Sequence, residues 1–554
     1  MPSIEFNKND LMELIGEEMD DELLEEQLTE IGVEVEEIED DKMEVETTSD
    51  RIDLLSVEGI ARNLRSYLKK EKGLKKYGIM DEGLKFRDKG VEVRPEVVGA
   101  VVKDVELNTA AMKSLIQLQE KLHGTFGRDR KKVSIGVHDI ENIKFPLEYR
   151  ECGPEEISFV PLEKEEEMNL EEILEKHDKG KEYGHIIRDG EKWPIIVDSN
   201  EKVLSFPPII NGVTTEVDEE TKDVFVDVTG TDRDAIEYAL NVIVTTLAER
   251  NGEIHEIEIV KPDGSTESYP DLSPNEFSID LEYVVSTVGI DMDREDLEEY
   301  LNKMGHNVVF EKEDIVVKVP SYRADMLHQA DLVEDVAMGY GYSNIEPELP
   351  NVSTIGEKDS LEEFTDVARE LMVGLGYQEI MNPTIRNKKI LREYMRSEKD
   401  DLIVIKEPVS EKYTEVRDTL LPQLLETLSK NTHNSYPQKI FEAADTIMKD
   451  EEKPYRASTD KKISTVHAGK NVGYSKILSE LRGLVNGLGK EINVKETDKT
   501  FYIDGRCAEI EVDGEKVGHV GEIHPEVLEN FELEIPVSGF ELSLTLLKEK
   551  CQRD

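Results

Sequence analysis

Residues 23–68 read LLEEQLTEIGVEVEEIEDDKMEVETTSDRIDLLSVEGIARNLRSYL, and residues 296–342 read DLEEYLNKMGHNVVFEKEDIVVKVPSYRADMLHQADLVEDVAMGYGY. The two stretches match step for step. Each has a Leu-Glu-Glu run of helical character, then a hydrophobic-Gly step at Ile31-Gly32 or Met304-Gly305. Each continues into an alternating strand, Met43 to Glu46 or Ile315 to Val319, as the two-residue period requires. Each then shows Arg-x-Asp, Arg51 to Asp53 or Arg323 to Asp325, and closes on a helix. Two copies of one small α/β module therefore flank a middle region.

The second copy carries four acids, Asp325, Asp331, Glu334 and Asp335. The last three stand at i, i+3 and i+4, so on a helix they share one face. Carboxylates so close repel each other unless a cation or good solvation relieves them. A solvated acidic face is the competing reading, because 124 of the 554 residues are Asp or Glu. The repeat supplies an internal control. Asp325 matches Asp53, but Asp331, Glu334 and Asp335 match Gly59, Arg62 and Asn63. One copy gathers four acids and the other keeps one. That pattern points to a hard cation with oxygen ligands, Mg²⁺, with water completing its shell. Arg62 is expected to neutralise its own copy, so the first module needs no ion.

The formal net charge is −56, and acids occur in nearly every block of ten. A spread-out acidic surface suits work in concentrated salt, where the Debye length falls to about 3 Å. The expectation is a halophile's cytoplasm, with an ordinary acidic cytosolic protein as the alternative. Three cysteines, Cys152, Cys507 and Cys551, are too few and too scattered for a disulfide framework or a zinc site. The N-terminus MPSIEFNKND lacks the basic and apolar regions of a signal peptide. No apolar run approaches membrane-spanning length. A cytoplasmic location follows as the expectation.

Residues 95–250 read as one α/β region. Val224 to Val228 alternate as a strand, and Ile236, Ala239, Leu240, Ile243 and Leu247 mark the buried face of the helix that follows. The basic cluster RDRKK, residues 128–132, is either a charged turn or a phosphate contact. A Pro/Gly-containing linker begins at Ile345. Beyond it, helical and strand-like segments with an Asp513-Gly514 hairpin turn predict an antiparallel sheet carrying helices. That region shows no P-loop, no G-x-S-x-G, no H-E-x-x-H and no zinc spacing. His467, His519 and His524 stand alone there and are expected to be exposed or structural.

Five pieces, in order, resemble one family: DRIDLLSVEGIARNLR, SFPPIIN with DVTGTD, PSYRADMLHQADLVEDVAMGYGY, VRDTLLPQLLETLSKN and GEIHPEVLENF. The family is the β subunit of phenylalanyl-tRNA synthetase, of the shorter archaeal and eukaryotic type. The resemblance covers essentially the whole chain. It implies a multidomain α+β protein, with an N-terminal module at 1–75 and an editing-like domain at 85–262. A Mg-binding, winged-helix-like module follows at 272–349. A class II synthetase-like domain at 355–554 serves as a subunit interface. That last domain lacks the ATP-binding Gly-x-Gly-x-x-Arg, and KIFEAAD stands where an active domain carries an ATP-gripping Arg. The resemblance therefore implies that a separate α subunit binds ATP and phenylalanine. Two of each chain would form an (αβ)₂ heterotetramer acting on phenylalanine tRNA, with neither membrane nor DNA as partner. It also implies that Asp325, Asp331, Glu334 and Asp335 bind a structural Mg²⁺, with Asp335 replacing the Glu common in bacterial relatives.

The editing domain of this family hydrolyses tyrosine wrongly attached to phenylalanine tRNA. By resemblance, Gln119, Glu120, Arg130 and Asn211 position the ester and the attacking water. Ser205, Asp227 and Thr229 meet the tyrosine hydroxyl, with Ile196 on the wall. Glu216 stands where relatives are expected to carry a basic residue, which puts one contact in question. The sequence shows no Ser/His or Cys/His pair as nucleophile, so positioned water is the expected attacker. Two rivals remain open: a nucleic-acid-binding regulator built on the winged-helix-like module, and a structural subunit whose editing site has decayed.

Overall fold

The structure, a computed structural model, describes residues 2–312 and 314–551. The chain divides into two compact units, Met1–Leu349 and Pro350–Asp554.

In the first unit the repeat is longer than its sequence signature. The N-terminal copy runs strand Ser3–Asn7, helices Lys8–Ile15 and Asp21–Glu30, strands Val33–Glu39 and Lys42–Thr47, then helix Val57–Tyr67. The second copy runs strand Asn275–Ile279, helices Leu281–Val288 and Arg294–Lys303, strands Asn307–Glu311 and Asp314–Val319, then helix Gln329–Tyr340. In both, the opening strand pairs antiparallel with the third, which pairs with the second. Equivalent first helices end the same way, on glycines in the left-handed region, Gly16 at φ 72° and Gly289 at φ 80°. A side chain there would meet its own backbone, so glycine is the ready stop. The hydrophobic-Gly steps serve the second helices likewise, with Gly32 at φ 77° and Gly305 at φ 82°.

Each Arg-x-Asp corner closes within its own copy. Arg51 grips Asp53 with two hydrogen bonds of 2.9 Å, and Arg323 grips Asp325 at 2.9 and 2.7 Å. All four side chains are buried or nearly so. Arg62 does not stay within its own copy, as expected, but lies 3.9 Å over the Tyr322 ring of the other.

Between the copies lies a ten-stranded mixed sheet. In spatial order it runs Ile210–Asn211, Val203–Phe206, Trp193–Val197, Leu147–Cys152, Ile79–Asp88, Glu253–Val260, Glu96–Lys103, Val224–Gly230 and Val133–Asp139. Thr266–Tyr269 pairs on Glu253–Val260. Helix Arg233–Ala248 packs on the strands 96–103 and 224–230. Asp232 caps it by accepting the Ala235 N–H. Its expected face, Ile236, Ala239, Leu240, Ile243 and Leu247, is buried, and so are Val242 and Val244. Each of the Ile, Leu and Val side chains contributes about 1.5–3 kcal/mol by leaving water.

The second unit is a seven-stranded sheet, antiparallel except where Gln378–Glu379 runs parallel to Gln438–Lys449. Helices Ser360–Gly374, Tyr474–Gly487 and Leu544–Cys551 share one core with it, and helix Leu421–Lys430 shares another. The Asp513-Gly514 turn has both residues at positive φ, 52° and 79°, the two-residue hairpin geometry that matches strand twist. His467, His519 and His524 all have structural partners: Glu480, Tyr502 and the N–H of Glu526.

Candidate functional site

The two edges of the ten-stranded sheet are the strands Ile210–Asn211 and Val133–Asp139. Three links bring those edges together. Asn211 Nδ2 reaches the Val137 carbonyl at 3.5 Å. Arg130, just before the strand, donates to the carbonyls of Pro208 and Ile209 at 3.2 and 3.0 Å. His138 contacts Thr215 Oγ1 at 2.8 Å. The eight residues expected at the ester-hydrolysing site lie along this seam or on the strands and helix beside it.

Gln119 and Glu120 sit on helix Thr109–Gly124. Gln119 donates to the Ile135 carbonyl at 2.7 Å. Glu120 accepts from Arg130 Nη2 at 2.8 Å. His123 Nδ1 lies 3.5 Å from the same oxygen. The His123 ring and the Arg130 guanidinium draw the Glu120 carboxyl down to about 2, so it is ionised at neutral pH. Burial lowers His123 itself. Its Nε2 accepts the Ile135 N–H at 2.8 Å, which leaves the proton of the neutral ring on Nδ1, facing Glu120.

Arg130 ends a left-handed stretch, Arg128, Asp129 and Arg130 at φ 51°, 54° and 63°. For non-glycine residues this costs about 1–2 kcal/mol each. The turn drives Arg130 inward, where its guanidinium lies 4.5 Å over the Tyr183 ring. The basic cluster is thus split: Arg130 is buried, while Arg128 faces solvent.

Ser205 and Asn211 face each other across paired strands. Ser205 Oγ donates to Asn211 Oδ1 at 3.0 Å. That bond orients the amide so that Nδ2 points across the seam. Ile196 pairs with Ser205 from the next strand and is fully buried. Asp227 and Thr229 lie two apart on strand Val224–Gly230, so they share a face. Both are buried. Glu216 is exposed and follows Thr215 directly.

Sequence reasoning missed two partners. His138 Nε2 lies 2.8 Å from Asp227 Oδ2, completing a buried chain Thr215–His138–Asp227. Gly136 makes room for it, because a Cβ there would stand 2.0 Å from Asp227 Oδ2. A lone histidine in the apolar run SIGVHDI was the available signal. The second is Arg94, wholly buried. Its Nε and Nη2 donate to Thr229 Oγ1 and to the Thr229 carbonyl at 3.2 and 2.6 Å. Its Nη1 donates to the Arg130 carbonyl at 2.9 Å. None of these partners is a carboxylate, and burial pulls Arg94 down to about 10. Its sequence setting, an Arg-Pro before an apolar strand, gives no warning of this.

The seam therefore combines a buried carboxylate acceptor, an oriented amide donor and a fixed cation. Ser205 is already spent as a donor, and the Thr215 hydroxyl is sealed within the core. Neither is placed as a free nucleophile.

The four acids of the second module lie at the start of helix Gln329–Tyr340 and just before it. Asp335 is buried between Arg323, at 2.9 and 3.2 Å, and His306, at 2.5 Å. Asp325 is held by the same Arg323. Asp331 accepts the N–H groups of Leu327 and His328 at 2.8 and 2.7 Å. Glu334 is exposed. Burial, then the charges of Asp335, Asp50, Asp325 and Asp331, raise its carboxyl. Negative charge beyond what Arg323 offsets thus remains there, and the donors are all oxygen, which fits a hard cation. The four do not form a closed shell. Among the described residues, the group of three acids whose oxygens all come within 4.8 Å of one another is Glu34, Glu36 and Glu46.

Four family descriptions match the chain. They are the Phe-tRNA synthetase beta subunit B1 domain at residues 1–70, the B3/4 domain at 96–251, the tRNA synthetase B5 domain at 277–342, and the phenylalanyl tRNA synthetase beta chain CLM domain at 345–544. The phenylalanine–tRNA ligase beta subunit of Methanocaldococcus jannaschii is 43% identical over 98% of this chain and 100% of its own. That of Pyrococcus furiosus is 41% identical over 98% and 99%. The crystal structure of an N-terminal fragment of the phenylalanyl-tRNA synthetase beta subunit from Pyrococcus horikoshii matches with a TM-score of 0.59. It is 38% identical, and the match covers 61% of this chain and 99% of the fragment.

Proposed function

The chain belongs to the family of phenylalanyl-tRNA synthetase β subunits, and from that premise we propose that its sheet seam hydrolyses tyrosine misattached to phenylalanine tRNA. As an aminoacyl-tRNA synthetase subunit it has a chemical need for such a site. Tyrosine and phenylalanine differ by one hydroxyl, and a pocket built for an apolar ring rejects the added hydroxyl only by a factor of about 10². The observation that carries the reading is Asp227, a buried carboxylate fixed by His138 in the same seam as Asn211 and Arg130.

Tyrosine's hydroxyl would donate to Asp227, with Thr229 and Ser205 beside it and Ile196 as the wall. Phenylalanine would leave that acceptor unpaired, at a cost of about 1–3 kcal/mol. Gln119, Glu120, Arg130 and Asn211 would hold the ester and a water. The water adds to the ester carbonyl and the acyl–oxygen bond breaks. Free tyrosine leaves, and a proton from the water ends on the released ribose oxygen, assisted by the neighbouring tRNA hydroxyl. Holding water against the carbonyl is enough to lower the barrier, since orientation alone removes much of it.

The same reading gives the chain an α subunit that carries the ATP and phenylalanine sites, in an (αβ)₂ assembly. Asp331 and Glu334, with Asp325 and Asp335, would hold a structural Mg²⁺, which would supply positive charge at the start of helix Gln329–Tyr340. Chelation should then lower the melting temperature of the chain, and the Glu334→Gln variant should lose that sensitivity.

The deciding assay offers tyrosyl- and phenylalanyl-tRNA(Phe) to the assembled enzyme. The reading expects rapid release of tyrosine and slow release of phenylalanine. Equal rates, or no release of either, would refute it.

A further inference from the structure

The carboxylate of Asp227 has two oxygens, and the fold uses one of them. Oδ2 lies 2.8 Å from His138 Nε2. Among the described residues nothing donates to Oδ1, yet protein does not wholly seal that oxygen. Asp227 is only 1% exposed. An acceptor left over at that depth is costly unless a ligand meets it.

The contact with Oδ2 is built rather than incidental. His138 stands on strand Val133–Asp139, opposite Phe225 of the strand that carries Asp227. Its ring is fully buried and stacks on Phe225, with centroids 6.0 Å apart and 26° between the planes. Gly136 faces Asp227 directly, and a Cβ there would stand 2.8 Å from His138 Nε2. The bare glycine lets the imidazole reach diagonally across the strand pair to the carboxylate.

The proton on Nε2 follows from the partners. An imidazole takes a proton ahead of a carboxylate, so Nε2 donates and Asp227 accepts. At the other end of the ring, Nδ1 lies 2.8 Å from Thr215 Oγ1, which also reaches the Gly212 carbonyl at 3.3 Å. The Thr215 hydroxyl has one hydrogen to give. If it goes to Nδ1, the ring is neutral with its proton on Nε2. If it goes to Gly212, both ring nitrogens carry protons. Either way Nε2 remains a donor, and Oδ2 is taken.

We propose that His138 is the positioning residue that makes the seam selective for an aromatic ring bearing a hydroxyl over a bare ring. By holding Oδ2 it fixes the plane of the carboxylate and leaves Oδ1 as the acceptor for the ring hydroxyl. It touches no reacting atom and acts through Asp227. The inference rests on the reading of the seam as the site of tyrosine hydrolysis.

The test compares kcat and KM for tyrosyl- and phenylalanyl-tRNA(Phe) hydrolysis by the assembled enzyme with wild-type, His138→Asn or His138→Gln β chain. The short Asn amide replaces the Nδ1 end of the ring and keeps only the Thr215 contact. The longer Gln amide replaces the Nε2 end and keeps a donor to Asp227. His138→Asn should lower the tyrosine-over-phenylalanine ratio of kcat/KM about tenfold or more, the equivalent of one lost hydrogen bond to a charged group. The loss should appear as a higher KM for tyrosyl-tRNA, because the ring hydroxyl is bound alike in ground and transition states. His138→Gln should keep the ratio within about threefold of wild type. A merely structural role would instead lower kcat for both substrates in both variants. That result, an unchanged ratio in His138→Asn, or an equal loss of ratio in the two variants would overturn the proposal. Nitrogen NMR of the wild-type assembly needs no variant: His138 Nε2 should carry a proton, and a bare Nε2 would overturn the proposal as well. Equal release of the two amino acids by the wild type would refute the reading of the seam and this inference with it. A selective wild type with an equally selective His138→Asn refutes this inference alone.

Discussion

Arg94 is a fully buried guanidinium whose hydrogen bonds go to Thr229 and to the carbonyl of Arg130. A charge placed so deep without a carboxylate is costly, and what it secures is geometry. It ties the strand carrying Asp227 and Thr229 to the left-handed turn that aims Arg130. It is a positioning residue. Arg94→Lys keeps the charge but loses the planar fork. The expected outcome is a fall of about 10–100-fold in the turnover of tyrosyl-tRNA, equal to one or two lost hydrogen bonds, with KM little changed. Phenylalanine attachment by the same preparation should be normal. A loss of both activities together would mark Arg94 as merely structural.

Glu120 makes a prediction in pH. Its carboxyl is depressed to about 2 by His123 and Arg130, against an ordinary value near 4.3. A depressed carboxyl contributes stability that is present above the ordinary value and lost as pH falls toward the depressed one. Carbon NMR of Glu120 should therefore show no titration between pH 7 and about 4. A midpoint near the ordinary value would show that the contact with Arg130 does not persist in solution. The eight residues expected at the seam were named from the family resemblance, and of these Asp227, an acid on an apolar strand, also carried a signal of its own in the sequence. His138 and Arg94 were not foreseen, because their roles come from the strand pairing of residues 133–139 with 224–230 and from the turn at 128–130. Neither is a local pattern.

At the scale of elements, the repeat was readable from Leu23 and Asp296 onward because glycine steps and Arg-x-Asp corners are chemically distinctive. The opening strands SIEFN and NEFSI were not read. Five residues alternate too briefly to stand out, and their pairing partners lie about 40 residues on. The second module also contains a close helix crossing. A Cβ on Gly339 would stand 2.3 Å from the Tyr300 carbonyl, and Lys303 Nζ donates to the Gly339 carbonyl at 2.7 Å. Gly339→Ala must push helix Gln329–Tyr340 away from helix Arg294–Lys303. The expected loss is about 1–3 kcal/mol or more, read as a lower denaturation midpoint. An unchanged midpoint would mean that the two helices are less tightly apposed.

For the whole molecule, the sequence indicated a multidomain α+β chain, and the sheets and helices of both units have that character. It could not foretell that the edges of the middle sheet approach each other, since long-range closure leaves no periodic trace. The charge of −56 belongs to this scale as well. Self-repulsion destabilises the compact state and is screened by salt. The melting temperature should rise as KCl increases from dilute to about 2 M, where the Debye length drops to about 3 Å or below. A flat or falling curve would show that the surface acids are already well solvated and paired.

The central claim is that one chain lends its partner a hydrolytic check without itself activating an amino acid. The most direct measurement follows phenylalanine and tyrosine attachment to tRNA(Phe) by this chain alone, by the α subunit alone and by the mixture, each with wild-type or Asn211→Ala β chain. The account predicts phenylalanine attachment in the mixture only, and stable tyrosine attachment only in the mixture carrying Asn211→Ala. If that mixture accumulates no more tyrosyl-tRNA than the wild type, the seam is not the hydrolytic site.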